Sequence, residues 1–339
     1  MIGWDSRPWR VSVTDVVKVH TAHARAGSWK ITVTEWHSMR ERCEYAATWT
    51  IVKFLGLLPR PLARWTAASI AWVLLLCRPP LRRAGIVNLR MAFPEWTDAQ
   101  RRKTLRRMAR YLGWMAAEFA HFPDLSRENI ERLVVLDGFE NFDAARRRGK
   151  GVIFLTGHMS AWELAPFAQA VYGNPLSFLA RAVDNAQVDE LVNHYRCLSG
   201  NQPIEKNNAA RAMLRVLHDG GTVGILADQN TSLDEGIFVD FFGIPAATTT
   251  GLARIARKTD AAVVPGFLFW DDSMRKYRLR FEGAIPLQST EDENADIRVN
   301  TGRFNNVIEN YIRAHPDQWL WVHKRWKSRP PGEPPLYSS

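Results

Sequence analysis

Cysteine and long apolar runs are both scarce in this chain. Its three cysteines, Cys43, Cys77 and Cys197, show no C-x-x-C spacing, so the sequence indicates neither a disulfide framework nor a cysteine-based metal site. The histidine and acidic residues also lack metal-ligand spacing, and we expect no metal. The longest uncharged apolar piece, Trp65 to Cys77, has 13 residues, whereas a helix that crosses a bilayer needs about 20. This length favours a buried core helix or one that lies in the membrane interface.

Other signals are missing too. The chain has no repeat period and no low-complexity tract, which argues against a solenoid or a largely disordered protein. No G-x-S-x-G motif marks a serine nucleophile, and residues 1–38 lack the apolar run of a secretory signal peptide. We interpret residues 1–40 as a poorly patterned extension and expect Met39 to be the natural start. The hydrophobic residues that are present, 46% of the chain, support a substantial core.

Positive charge is concentrated in one region. The net charge is +10, and the stretch from Arg78 to Arg110 alone carries ten lysine or arginine residues against Glu95 and Asp98. Such a stretch favours phosphate-bearing partners, either nucleic acid or an anionic membrane surface. No recognised nucleic-acid-binding module is present, and the nearby tryptophans are typical of a segment on an anionic leaflet. We expect a membrane surface as partner and no nucleic acid; a solvated basic face on a soluble bundle is the alternative.

The pattern of apolar and polar residues changes after Gly149. Short apolar strands alternate with amphipathic helices, apart from a Gly- and Phe-rich stretch after Gln229 that we interpret as a loop. This alternation predicts an α/β fold with a mixed, mainly parallel sheet flanked by helices. The expected organisation is a helical, membrane-associated segment at 41–125, the α/β domain at 126–330 and a tail at 331–339.

His158 follows the first strand of the predicted sheet, and Glu163 comes five residues later. One interpretation is structural: Ser160 caps a helix that begins there, and Glu163 completes the capping box. The other is catalytic: Glu163 accepts a hydrogen bond from one imidazole nitrogen, and the other nitrogen takes a proton from an alcohol. That alcohol would attack an activated acyl group directly, with backbone amides of the helix start as oxyanion donors.

Blocks of sequence in a fixed order resemble the lipid A biosynthesis acyltransferases, the lauroyl and myristoyl transferases of the glycerolipid and lysophospholipid acyltransferase superfamily. The similarity runs from about Glu44 to Pro330. The blocks are "NLRMAFPEWTDAQRRKTLRRMARYLG", "GHMSAWEL" with its H-x-x-x-x-E spacing, "DQN…GIFVDFFGIPAATTTGLARIARKT" and "WLWVHKRWKSRP". The histidine spacing alone is a weak signal, but the long third block is specific. Together they favour the catalytic interpretation.

The resemblance implies an O-acyltransferase at the cytoplasmic face of the bacterial inner membrane. It would move a fatty acyl chain from an acyl carrier protein or coenzyme A thioester to a hydroxyl of a lipid A precursor, with no other cofactor. By position His158 is the general base and Glu163 orients it. Arg181 would hold a phosphate of donor or acceptor, and Asp228 and Gln229 would shape the acceptor site.

An acyl chain also needs a dry slot. We expect Phe241, Phe242 and Trp162 to line it, together with apolar residues of 65–76, although core packing explains the two phenylalanines equally well. The tryptophans of the C-terminal block suit either a membrane headgroup region or a core. The acceptor could instead be another glycolipid or a phospholipid, such as phosphatidylinositol mannoside or an aminolipid, and an esterase could use the same histidine. Chain length and oligomeric state stay open.

Overall fold

The structure, a computed structural model, describes residues 33–179, 183–204 and 208–337. The prediction for residues 1–40 falls largely outside these ranges, and so does Arg181. By its internal contacts the chain divides into two units, Met1–Arg40 and Glu41–Ser339. The sheet, the cavities and the side-chain sites described below all lie in the second unit.

Helices fill the chain before the sheet. They are α1 (Val33–Leu57), α2 (Arg60–Cys77), α3 (Pro79–Ala92) and α4 (Asp98–Ala120). The side chain of Thr97 caps α4, and Gln100 completes a capping box, which satisfies free backbone donors of the first turn. Helices α2 and α4 approach closely because Gly113 has no side chain: a Cβ there would lie 2.4 Å from the backbone of Ala68. In the ranges given above, no helix has both the length and the apolar character that a membrane crossing requires.

Strands and helices alternate in the rest of the chain, as predicted. The strands are β1 (Val134–Asp137), β2 (Val152–Thr156), β3 (Ser177–Leu179), β4 (Gln202–Ile204), β5 (Thr222–Leu226), β6 (Gly236–Phe241), β7 (Ile244–Thr249), β8 (Ala262–Asp271) and β9 (Lys276–Phe281). The helices are α5 (Phe139–Arg147), α6 (Leu164–Val171), α7 (Ala186–Cys197), α8 (Ala209–His218), α9 (Gly251–Thr259) and α10 (Glu293–Ala314). Single 3₁₀ turns at Phe122–Asp124 and Ile130–Arg132 lead into β1.

The main sheet, as far as the described residues go, has seven strands in the order β1-β9-β8-β2-β5-β3-β4. Neighbouring strands run parallel except in the antiparallel β8–β9 hairpin. The predicted mixed, mainly parallel sheet is therefore confirmed. Because successive side chains of a strand point to opposite faces, Ile153 and Leu155 of β2 enter one apolar cluster and Val152 and Phe154 enter another. The first cluster also contains Leu105 of α4, so the N-terminal helices share a core with the sheet.

The stretch expected to form a loop after Gln229 is instead a β-hairpin, and that expectation is wrong. Strands β6 and β7 pair in antiparallel register, with Phe241 opposite Ile244. The two residues between them, Phe242 and Gly243, both have positive φ, +58° and +76°. Such a two-residue turn matches the right-handed twist of the flanking strands. The backbone N–H of Phe242 donates to Glu309 of α10 at 2.5 Å, which ties the turn to the core.

Candidate active site

His158 and Asp228 meet because their strands are neighbours in register. Thr156 of β2 pairs with Leu226 of β5, and each of the two site residues follows its strand end by two positions. Parallel strands present their carboxyl ends at one edge of the sheet, where ligands collect. Gly157 gives the carboxylate room, since a Cβ there would lie 3.1 Å from Asp228 Oδ2.

Asp228 fixes the imidazole from several directions. His158 Nδ1 lies 2.7 Å from Asp228 Oδ1. The backbone N–H of His158 and the indole N–H of Trp319 both donate to Asp228 Oδ2 at 2.7 Å. The Asp228 side chain is 1% exposed, so these contacts are shielded from water. An acceptor at Nδ1 places the proton of a neutral ring on Nδ1 and leaves the Nε2 lone pair free. The amide nitrogen of Gln229 lies 3.1 Å from that Nε2.

The pKa values of this pair are shifted in opposite directions. Burial alone would raise the pKa of Asp228, but the charge of His158 and the hydrogen bonds from His158 and Trp319 lower it to about 2. Burial alone would lower the pKa of His158, but the charge and hydrogen bond of Asp228, with a smaller effect of the Glu163 charge, raise it above the usual value. Asp228 therefore stays ionised and stabilises a proton on His158, as the orienting carboxylate of a general base does.

Glu163 does not take the orienting position that the sequence predicted. Its carboxylate oxygens accept hydrogen bonds from Arg196 Nε at 2.8 Å and from the Arg196 terminal nitrogen at 2.6 Å. The capping-box interpretation is wrong as well, because α6 begins at Leu164 and Glu163 makes no side-chain cap. The physical reason is the turn between His158 and α6, where Ser160 has φ of +50° and is not helical.

The C-terminal block holds this turn in place. Residues 318–320 run beside it: the backbone N–H of Ser160 donates to the Gln318 carbonyl at 2.6 Å, and that of Leu320 donates to the His158 carbonyl at 3.1 Å. The amide of Ser160, one of the donors we expected to serve an oxyanion, is therefore already in use. The same strand-like contact brings Trp319 to Asp228.

An apolar cavity of about 440 Å³ opens beside the imidazole. Its polar end carries His158, Glu163, Arg196 and Gln229. Its remaining wall is largely apolar and includes Phe154, Trp162, Phe167, Phe178, Gly224, Leu252 and Ile255. An apolar substrate with one reactive polar end fits this distribution. No group of three or more His, Cys, Asp or Glu side chains within the described ranges is placed to hold a metal ion.

Comparison with known proteins decides which family this site belongs to. The family model described as bacterial lipid A biosynthesis acyltransferase matches residues 37–328. The chain belongs to that family. It is 24% identical to a lipid A biosynthesis acyltransferase of Haemophilus influenzae over 74% of this chain and 77% of the relative. It is 29% identical to the lipid A biosynthesis lauroyltransferase of Escherichia coli over 76% of this chain and 83% of the relative. It is 27% identical to the myristoyltransferase of the same organism over 74% and 77%.

The chain is accordingly an acyltransferase. The structure shows which of the residues suggested by the family resemblance lie at the cavity and which do not. His158, Glu163 and Gln229 line the same cavity, and Asp228 lies directly behind His158. Trp162 lines the cavity as predicted. Arg181 lies outside the described residues.

Phe241 and Phe242 do not reach this cavity. Phe241 is fully buried, and the guanidinium of Arg325 lies 4.9 Å from its ring centre. Phe242 stacks edge-on against Phe93 and lies under Arg313. The core-packing alternative therefore describes both phenylalanines. The apolar residues of 65–76 do not line it either: Trp72, Leu75 and Leu76 line a different cavity, between α2, α3 and α4.

The sequence reasoning missed Arg196 and misjudged Trp319. Arg196 lies on α7, 33 positions after its partner Glu163, and no local motif links the two. Trp319, Trp321 and Trp326 are all buried to within 1% exposure, so the membrane-headgroup interpretation of these tryptophans is wrong. An indole that is buried needs an acceptor for its N–H, and Asp228 is that acceptor for Trp319.

Proposed function

We propose that this protein transfers a fatty acyl chain from a thioester to a hydroxyl of a lipid A precursor, with His158 as the general base. The observation that carries the proposal is the imidazole, held by a buried Asp228, at the polar end of an apolar cavity. The names of the relatives favour a lipid A precursor as acceptor. The thioester is that of an acyl carrier protein or of coenzyme A.

The chemistry needs no protein nucleophile. The acceptor hydroxyl takes the place of the Gln229 amide near His158 Nε2 and gives its proton to that nitrogen as its oxygen bonds to the thioester carbonyl carbon. Asp228 stabilises the imidazolium that forms. The tetrahedral intermediate then expels the thiolate, the carbon–sulfur bond breaks, and the imidazolium returns the proton to sulfur. The products are an ester and a free thiol. The apolar cavity holds the acyl chain and excludes water from the reaction.

In this proposal Glu163 and Arg196 assist the general base without contacting its ring nitrogens. Glu163 forms an ion pair with Arg196 at 2.6 Å, and its charge adds to the field that favours a proton on His158. Arg196, in turn, places a cation at the polar end of the cavity, where the phosphate-bearing parts of donor and acceptor would enter. Arg181 is retained as a second phosphate contact on the family pattern alone.

We also propose that the enzyme works at the cytoplasmic face of the inner membrane. Helix α2 and the end of α1 expose large apolar side chains, including Leu57 at 84% and Trp65 at 68% exposure. The basic stretch Arg78–Arg110 follows directly along the chain. Exposed apolar residues next to concentrated positive charge are typical of a helix that lies on an anionic leaflet.

Purified protein with acyl carrier protein and coenzyme A thioesters of several chain lengths tests the proposal. Mass spectrometry of a lipid A precursor should show one added acyl chain. The His158→Ala variant should lose activity by about 10³-fold, because a positioned base contributes 10²- to 10⁴-fold, whereas the His218→Ala control, at an exposed histidine of α8, should keep it. A folded His158→Ala variant with the parent rate would refute the assignment.

Two further reactions separate the alternatives. Phosphatidylinositol mannoside and an aminolipid are offered as acceptors in place of the lipid A precursor. If the protein acylates one of these lipids faster than it acylates the lipid A precursor, its acceptor is that lipid class. Thioester cleavage at equal rates with and without any acceptor would identify an esterase.

A further inference from the structure

A second cavity, of about 620 Å³, lies between α2, α3 and α4 and reaches the C-terminal tail. It shares no lining residue with the cavity at His158. The apolar part of its lining includes Trp72, Leu75 and Leu105. Leu75 and Leu105 are buried at 5% and 2% exposure, so the cavity extends into the protein core.

The rim of this cavity is cationic. Arg82, Arg83 and Arg102 line it and are exposed, and none of them forms an ion pair with any residue in the described part of the chain. Asp98 of the rim is already engaged by Arg101 at 3.0 Å and by Arg90 at 3.5 Å. Three arginines without a carboxylate partner at the mouth of an apolar cavity select an amphiphile with an anionic head.

The apolar face of α2 continues to the same mouth. Trp65 and Val73 are 68% and 54% exposed, and Leu76, at 41% exposure, lines the cavity itself. If this face lies against a bilayer, acyl chains are at the level of the opening and phosphate groups are at the level of the arginines.

We propose that this cavity binds one anionic glycerophospholipid of the membrane. One acyl chain lies on Trp72, Leu75 and Leu105, and the phosphate contacts Arg82, Arg83 and Arg102. An acidic carrier protein would use the charges but would leave the apolar cavity behind them empty, which is why a lipid fits better. The inference is independent of the role of His158 and rests on a different part of the molecule.

The full-length protein is extracted from vesicles of phosphatidylcholine and phosphatidylglycerol. Native mass spectrometry then identifies the lipid that stays bound to it. The parent should carry one phosphatidylglycerol. The Val87→Trp variant fills the cavity and leaves every charge in place, so it should lose that lipid. Leu76→Trp, at the exposed mouth, is a second filling variant in case the first does not fold, as judged by circular dichroism.

A second set of variants removes the positive charges at the rim and leaves the cavity unfilled. The triple variant Arg82→Gln, Arg83→Gln, Arg102→Gln should weaken retention of phosphatidylglycerol by roughly a hundredfold, since each basic residue near an anionic surface contributes about 1 kcal/mol. The matched control removes three exposed arginines elsewhere, Arg132→Gln, Arg211→Gln and Arg215→Gln, and should retain the lipid. Folded filling variants that keep the parent's lipid would overturn the proposal, as would equal losses in both triple variants.

The remaining outcomes identify other occupants, and each overturns the proposal. Retention of the glycolipid acceptor instead of phosphatidylglycerol would make the cavity part of the substrate site. Loss of carrier-protein binding without loss of lipid in the rim variant would make the arginines a protein-docking surface. The His158→Ala variant should retain phosphatidylglycerol whatever its activity, which separates failure of this inference from failure of the proposed reaction.

Discussion

At the scale of single residues, two carboxylates lie near His158 and differ in what they can do. Asp228 is buried and shares a hydrogen bond with the ring, whereas Glu163 is 16% exposed and neutralised by Arg196. A carboxylate bonded to Nδ1 sets the tautomer and stabilises the imidazolium, but one that acts through space contributes only part of the field. We therefore expect Asp228 to contribute more to the activity than Glu163.

Asp228→Asn should therefore cost more activity than Glu163→Gln. The amide can still hydrogen-bond, but it has no charge to stabilise the imidazolium, and we expect kcat to fall by about 10²- to 10⁴-fold. We expect a smaller loss for Glu163→Gln. Steady-state kinetics with an acyl thioester and the lipid A precursor measure both values. A larger loss for Glu163→Gln would return the orienting role to Glu163.

The pH dependence of kcat/KM reports the same pair. His158 must be neutral to act as a base, and its pKa is raised above the usual 6.5. Activity should be low below that raised pKa and should rise as the pH passes through it. In Asp228→Asn the raising charge is gone and burial lowers the pKa, so the midpoint should move to lower pH. A midpoint that stays in place in this variant would mean that Asp228 does not control the titration.

At the scale of elements, the strands determine how deep the cavity beside His158 is. Gly224 of β5 and Phe154 of β2 are register partners, and each precedes its site residue by four positions. At about 3.3 Å per residue, they line the cavity roughly 13 Å along the strands from the level of His158 and Asp228. Gly224 adds no side chain to this part of the wall, and a Cβ there would lie 3.1 Å from the side chain of Leu176, which also lines the cavity.

Gly224→Val should shorten the preferred acyl chain. The added branched side chain takes up space in the wall at depth, while the polar end with His158 stays unchanged. Each methylene that no longer fits is worth roughly tenfold or more in discrimination. A competition among thioesters of increasing length, read by mass spectrometry, gives the preference directly. An unchanged length profile at normal stability would show that the chain does not pass Gly224.

The elements themselves were largely predictable, because apolar runs and helical periodicity are local signals. The alternation of strands and helices after Gly149 needed no tertiary information. The hairpin at Phe242–Gly243 was missed because two phenylalanines and a glycine do not resemble the usual turn dipeptides. The pairing of His158 with Asp228, 70 positions apart, depends on strand order, which no local pattern encodes.

At the scale of the whole molecule, much of the surplus positive charge and many of the exposed apolar side chains belong to the helices before the sheet. The net charge is +10, and the arginine-rich stretch lies next to exposed apolar residues of α2. Long-range attraction by charge weakens as salt screens it, whereas burial of apolar side chains does not. The two contributions to the proposed membrane binding can therefore be separated by salt.

Trp65→Ser with Val73→Ser should weaken binding to phosphatidylglycerol vesicles at every salt concentration. Both side chains are more than half exposed, so the free energy of unfolding should change by about 0.5 kcal/mol or less per site. Burying such side chains contributes about 2 kcal/mol each, so vesicle sedimentation should show a loss of at least tenfold. The control Leu198→Ser with Leu233→Ser removes exposed apolar residues of other segments, at 44% and 56% exposure, and should bind as the parent does. If the two double variants lose binding equally, general surface hydrophobicity, rather than the face of α2, attaches the protein to the membrane.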